Sequence, residues 1–357
     1  MKLHLKSLRF LGGFACGAAV STASCIAAME MYKKQTLPDT REETVDPSGG
    51  IMGRYGFPLT GAEIRYYANH TLSYDQARRT PRWVVEHISS EKLLGNAERK
   101  RCRFRPDPNV PVIFSAHNED YLGSGWSRGH MVPAGDNKFS EQAMAETFYL
   151  SNIVPQNLEN NAGFWNRLEM YCRDLTKRFQ DVWIITGPLI LPEVGADGKK
   201  IISYKVIGKD DVAVPTHLYK VILAQRKGFP SETLALAAFV VPNRPIGFDH
   251  PLTEFQVSLV DLEKMSGLTF FPKVDRTRVP IQNLCNLDSC KLLSSQQFHL
   301  YITTRKVGSA GNIFKLDKAM SELKEAGIAP DSYLLKLYAD KRKELESKEV
   351  SGNTRGH

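Results

Sequence analysis

Carboxylates are missing from the first 29 residues; the first is Glu30. The chain opens with Lys2, Lys6 and Arg9, and residues 10–29 (FLGGFACGAAVSTASCIAAM) carry no charge. That stretch is long enough to cross a bilayer as a helix, though only moderately apolar. Gly13-x3-Gly17 permits close helix–helix contact in lipid. Three readings fit: a mitochondrial signal-anchor kept in the membrane, a cleaved targeting peptide, and a secretory signal peptide. Residues 1–32 are taken as a mitochondrial targeting or membrane-anchor segment, giving the chain a possible membrane contact. Residues 33–50 (KKQTLPDTREETVDPSGG) are polar with Pro and Gly, and read as a linker.

Cysteine is sparse too. Six in 357 residues do not make a disulfide framework, and a domain of this size needs none. Cys285-x4-Cys290 resembles half of a zinc site, but no second close Cys or His pair accompanies it. The expectation is thiols, buried or partly exposed, in a reducing compartment, and the scattered pattern argues against secretion.

A regular βαβ alternation is also lacking, which excludes a doubly wound sheet and leaves an α+β fold. Hydrophobic spacing predicts a helix over Asp75–Ile88, with Ala77, Trp83, Val84 and Ile88 inward. A short helix is expected over Glu141–Thr147 and a strand over Phe148–Val154. The best helix is Asn161–Phe179, with Trp165, Leu168, Cys172, Leu175 and Phe179 on one face. Strands follow at Asp181–Pro188, His217–Ala224 and Thr233–Val241, then a short helix over Leu259–Met265 stopping at Gly267. After Cys290 two charged amphipathic helices, 313–326 and 331–348, are split by Gly327 and Pro330. The domains are therefore 51–290, a folded core, and 291–357, a C-terminal helical extension.

What is present is basic charge. The formal net charge is +8, which leans towards an acidic partner such as nucleic acid or an anionic membrane. Residues 99–105 (RKRCRFR) hold five cations around one aromatic ring. Such a run is either a solvated loop or a strip that meets phosphates.

Residues 125–137 (GWSRGHMVPAGDN) hold two patterns at once. Gly125-Trp126-Ser127-Arg128-Gly129 fits the nucleophile elbow of serine hydrolases. An elbow needs an apolar strand before it and a helix after it. Here the preceding stretch is polar and Gly-rich, and Pro133 and Gly135 follow. His130 fits better as a base, because an imidazole titrating near 6.5 is neutral at working pH and accepts a proton from water. Arg128 and the basic run supply guanidinium groups matched to phosphate, and Gly129 permits close backbone approach.

A second block follows: Ser151-Asn152-Ile153-Val154-Pro155-Gln156, then Asn160-Asn161-Ala162-Gly163-Phe164-Trp165-Asn166-Arg167-Leu168-Glu169. With Ser127-Arg128-Gly129-His130, the combination resembles the ββα-metal (His-Me finger) family of DNA/RNA nonspecific endonucleases. The family pairs D-R-G-H with an S-N-I/M-x-P-Q strand end and an N-x-G-x-W-x-x-L-E helix start. The likeness covers roughly residues 55–290. It implies a nuclease core with a mainly antiparallel sheet.

The resemblance also implies roles. His130 is the general base, Asn161 the one direct protein ligand of a Mg²⁺ ion (one per site, with Mn²⁺ able to substitute), and Glu169 the holder of a metal-bound water. Asn152 and Gln156 orient the site, and Arg128 is placed to grip phosphate. Arg99 or Arg101, and Lys138, contact substrate. The expected reaction is hydrolysis of DNA and RNA to 5′-phosphate and 3′-hydroxyl products. Ser127 departs from the family's Asp. Together with the N-terminus and the helical extension, it points to a mitochondrial exo/endonuclease branch, which implies a homodimer at the inner membrane working from 5′ ends. The contrasting reading is a nucleic-acid-binding protein with this fold and no turnover.

Overall fold

The computed structural model describes residues 61–226 and 233–353. An eight-stranded sheet forms its centre. The chain enters at strand β1 (Ile64–Tyr66) and pairs antiparallel through β2 (His70–Asp75) to β3 (Thr80–Ile88). It then leaves the sheet for a separate two-stranded ribbon, β4 (Ser127–His130) and β5 (Ile153–Gln156). It returns as β6 (Phe179–Leu189), which pairs with β3. Two small hairpins follow: β7 (Glu193–Val194) with β8 (Lys200–Ile201), and β9 (Val206–Ile207) with β10 (Val212–Ala213). The long strand β11 (His217–Arg226) pairs with β6, and β12 (Leu234–Pro242) pairs with β11. Strand β13 (Gln256–Val257) pairs antiparallel with β12, and β14 (Ile281–Asn283) pairs parallel with it. The architecture is α+β with mainly antiparallel pairing.

The helix expected over Asp75–Ile88 is instead the β2–β3 hairpin. Its turn is held by the Asp75 carboxylate, which accepts from the backbone N–H of Ala77 (3.0 Å) and Arg78 (3.2 Å), with Arg79 at φ +55°. Val84, Glu86 and Ile88 alternate inward. A spacing of four fits a helix turn and two strand periods equally well, and the charged Glu86 between Val84 and Ile88 hid the alternation. Both Glu86 carboxylate oxygens lack a hydrogen-bond partner, and burial pushes this carboxyl well above its usual range.

The strand expected over Phe148–Val154 starts later, after a 3₁₀ turn at Leu150–Asn152, and runs through Pro155 to Gln156. Helix α1 (Glu141–Glu146) is as expected, N-capped by Ser140. The best helix begins as a wide turn over Asn161–Trp165 and continues as α2 (Asn166–Leu175). Its inner face is the predicted one: Trp165, Leu168, Cys172 and Leu175 are buried against the sheet with Leu72, Val84 and Ile222. Phe179 is buried as well, but as the first residue of β6. Helix α3 (Leu259–Ser266) ends at Gly267, whose φ of +67° is the left-handed cap that glycine adopts without cost.

Three helices, not two, follow Cys290: α4 (Ser295–Gly308), α5 (Ile313–Glu325) and α6 (Ser332–Asn353). They share their own core of Val307, Leu316, Leu323 and Leu334. Cys285 and Cys290 are joined as a disulfide, so the thiol expectation fails for this pair. Cys102 and Cys172 are free. The N-terminal segment and linker lie outside the described residues, and no described helix is long and apolar enough to cross a membrane.

Candidate active site

The ribbon sets the geometry. In its register Ser127 lies opposite Gln156, Arg128 opposite Pro155, Gly129 opposite Val154 and His130 opposite Ile153. The two sequence blocks are thus two strands of one hairpin-like unit, and the helix that follows closes a ββα arrangement. A side chain at Gly129 would collide with that of Gln156. Asn157 caps the helix by accepting from Asn160 N–H at 3.0 Å. Asn161, a helical residue one turn later, therefore has a side chain not needed as a cap.

That side chain is held from one side. Asn161 Nδ2 donates to Ser127 Oγ at 3.0 Å, and Ser127 Oγ donates to the Gln156 carbonyl at 2.8 Å. A hydroxyl has one proton. Since Ser127 spends it on Gln156, it must accept from Asn161, which fixes the amide nitrogen inward and leaves Oδ1 free. The same bond rules out Ser127 as an activated nucleophile: no histidine hydrogen-bonds it among the described residues, and the residue sits within a strand.

His130 is buried, its ring between Phe104 (5.2 Å between centroids) and Phe148 (4.9 Å). Nε2 is buried with no hydrogen-bond partner, as befits a base whose partner arrives with the substrate. Burial, helped by the Arg99 charge, lowers its pKa to about 3, so the ring is neutral. Arg128 lies over the Phe104 ring at 5.0 Å and donates to Asn118 Oδ1 at 2.7 Å.

These groups open onto one cleft of about 360 Å³, lined by Arg99, Arg128, His130, Lys138, Asn161 and Glu169 among others. Burial raises the Glu169 carboxyl to about 7 against the lowering pull of Arg173 and Lys220. Arg99, Arg128 and Lys138 have no carboxylate partner among the described residues. Of the two upstream arginines, Arg99 lines the cleft. Arg101 does not: it is bridged to Glu98 (3.0 Å) and Glu141 (3.1 Å) on the surface. Asn152 does not line the cleft either. It is fully buried behind it, where Oδ1 accepts from Val132 N–H and Nδ2 donates to the Val132 and Thr147 carbonyls. It fixes the chain leaving His130.

Two charged lining residues, Arg173 and Arg305, escaped the sequence reading. Arg173 follows Glu169 by one helical turn and pairs with buried Asp136 at 2.6 Å; the i+4 spacing was a usable signal. Arg305 comes from α4, and nothing local to it marked a site.

A cation fits this donor set. Asn161 Oδ1 is oriented and uncommitted, Glu169 shares its cleft, and a neutral ligand with few protein contacts suits an ion that keeps its waters. A separate cluster of His117, Asp120 and Asp210 also brings possible ligand atoms together. Its groups are occupied locally: Asp120 accepts from the His117 and Asp210 N–H groups, and His117 Nδ1 bonds Asp210.

A ββα unit presenting a neutral imidazole, an oriented carboxamide and unpaired guanidinium groups defines a phosphodiester-cleaving enzyme. The chain belongs to the DNA/RNA non-specific endonuclease family, whose model matches residues 48–277. Residues 293–341 match the endo/exonuclease (EXOG) C-terminal domain. The chain is 62% identical to mitochondrial nuclease EXOG of Xenopus laevis, covering 97% of this chain and 95% of that one. The Homo sapiens counterpart is 58% identical with the same coverage. Human mitochondrial endonuclease G is 42% identical over 63% of this chain and 74% of its own. A crystal structure of the EndoG/EndoGI complex superposes with TM-score 0.60 at 40% identity, covering 64% of this chain and 93% of that one. This protein is a hydrolytic nuclease, and the reading without turnover falls.

Proposed function

We propose that this nuclease uses His130 as general base and Asn161 as the holder of a single Mg²⁺ ion, which Mn²⁺ can replace. The carrying observation is the Ser127–Asn161 hydrogen bond, which turns Oδ1 towards the cleft that His130 lines. The neutral imidazole takes a proton from a water aimed at phosphorus. Arg99, Arg128 and Lys138 hold the phosphate, and Glu169 orients the water around the ion. When bound, the ion neutralises charge developing on the leaving 3′ oxygen. The products are a 5′-phosphate and a 3′-hydroxyl. Metal dependence goes with the family; the choice of Mg²⁺ is the proposal.

Substrates are DNA and RNA; membership of the non-specific family and a cleft lined by Arg99, Arg128 and Lys138, groups suited to phosphate, support this. Action from 5′ ends is part of the proposal; Arg305, which brings the C-terminal helices to the rim of the cleft, supports a part for those helices in positioning DNA. Mitochondrial placement is supported by the relatives' names and the acid-free N-terminus. Attachment at the inner membrane, a homodimer, and boundaries near residues 50 and 290 complete the reading.

The test uses the full chain on 5′-labelled duplex DNA with Mg²⁺ or EDTA, comparing wild type, His130→Ala and Asn161→Ala. Cleavage is expected to need the metal and to fall by about 10²–10⁴ in His130→Ala with DNA binding retained. DNA bound without product under Mg²⁺ and Mn²⁺ overturns the reading.

A further inference from the structure

The β7–β8 hairpin and the strand after it have no part in the cleft. Residues 196–206 are all exposed, on a finger rooted by Leu191 at one end and by buried Ile207 at the other. Among the described residues the β7–β8 hairpin pairs only with itself and adds nothing to the large sheet, while Lys205 and Val206 at its base pair with Val214 and Ala213. Its tip turns at Gly198 (φ +77°), where Asp197 accepts from Lys199 N–H at 3.1 Å.

The composition of this finger is wrong for a solvated loop. Val194 is 68% exposed, Ile201 54%, Ile202 61% and Val206 48%, with Tyr204 at 44%. Ile201 and Ile202 are consecutive, so they lean to opposite faces of an extended chain. Both are open, so the hairpin exposes aliphatic side chains on both faces at this point. Soluble surfaces rarely gather so much aliphatic area without a use.

Lysines run through the same segment. Residues 193–206 contain Lys199, Lys200 and Lys205 against Glu193 and Asp197. Lys199 pairs with Asp197, while Lys200 and Lys205 have no carboxylate partner among the described residues. Long lysine stems lie along apolar surface and keep their charge in the headgroup layer.

We propose that this finger docks on an anionic lipid bilayer, with its aliphatic side chains in the interface and its lysines on the headgroups. Nucleic acid suits it poorly, because four of its five apolar side chains are aliphatic and offer no ring for a base to stack on. A second copy suits it poorly, because like-charged lysines would be gathered into a dry contact.

The apolar N-terminal stretch of the full chain would itself take the protein to vesicles, so the readout must be local. Hydrogen–deuterium exchange over residues 192–206 is measured for the full chain with phosphatidylcholine vesicles, and with vesicles that also contain phosphatidylglycerol. Protection of this segment is expected only with the anionic vesicles. Lys199→Glu/Lys200→Glu should weaken it by about tenfold or more in lipid concentration, leaving nuclease activity in free solution unchanged. Ile201→Ser/Ile202→Ser should abolish it. Exchange in the finger unaltered by anionic vesicles overturns the proposal, whether or not the chain sediments with them. So does protection that grows with protein concentration without lipid, or that DNA produces.

Discussion

Ser127 Oγ stands between Asn161 Nδ2, at 3.0 Å, and the Gln156 carbonyl, at 2.8 Å. One hydroxyl thus couples the strand that carries His130, the proposed base, to Asn161, the proposed holder of the cation. A serine does this without adding charge beside the site, whereas the family's usual aspartate would accept from the amide and bring a negative charge.

Ser127→Ala should therefore not abolish cleavage. It should free the Asn161 amide to rotate, raising the Mg²⁺ concentration needed for half-maximal activity by about 10–100-fold. A metal titration checks this. Full recovery at saturating Mg²⁺ supports an orienting hydroxyl; loss of activity at every concentration contradicts it.

Arg99 and Arg101 should separate cleanly. Arg99→Ala should cut kcat/KM by about tenfold or more and reduce the salt slope of DNA binding by about one. Arg101→Ala should change either little, because that side chain is already spent on Glu98 and Glu141. Equal effects would mean that the basic run acts as a diffuse strip.

Arg305 tests the contribution of the C-terminal helices. Arg305→Ala should raise KM for duplex DNA by about tenfold, as loss of one charge-assisted contact does. Cleavage of a very short oligonucleotide, which cannot reach the rim, should be nearly unaffected. An equal loss on both substrates would place Arg305 at the reacting phosphate instead.

Two buried histidines tie stability to pH. Burial holds His70 at about 4, partly offset by Asp107, and His130 at about 3. Both are lowered, so the native state stays neutral while the unfolded chain takes up protons below about 6.5. Stability is complete above that pH and falls as pH drops towards 4, by about 1.4 kcal/mol per unit for each group. Urea unfolding of wild type and His70→Phe at pH 7 and pH 5 should show a smaller drop in the variant. Parallel curves would remove His70 from the account.

The site was legible because its residues lie in two short blocks that pair across one ribbon. Ser127, His130, Asn161 and Glu169 needed only local sequence. Arg305 was not legible, since it depends on tertiary placement; Asn152 was legible as an orienting residue, but not the hydrogen bonds behind the cleft through which it orients. In the fold, the inner face of α2 was readable from Trp165 to Leu175. The β2–β3 hairpin was not, because a buried Glu86 breaks the alternation a strand normally shows. Helix α4 carried a signal that went unused: Ser294 and Gln297 form a reciprocal capping box at its start. The Cys285–Cys290 bridge had no signal beyond its spacing.

Arg167, on α2 beside the cleft residues, is buried and lies over Phe248 at 4.2 Å. Its guanidinium donates to the carbonyls of Leu293 and Gly247, both at 3.2 Å. The segment leading into α4 is thus a keystone for the helix that bears Glu169. A protein shortened before Leu293 would take from the buried Arg167 guanidinium one of its two carbonyl partners as well as lose Arg305. Its deficit would combine a loosened catalytic helix with a missing grip on DNA. A chain retaining residues up to 294 would separate the two, since Arg167 acts beside Leu292 in the main core, and beside Phe298 and His299 against Phe248, in making the extension and the nuclease core one mechanical unit.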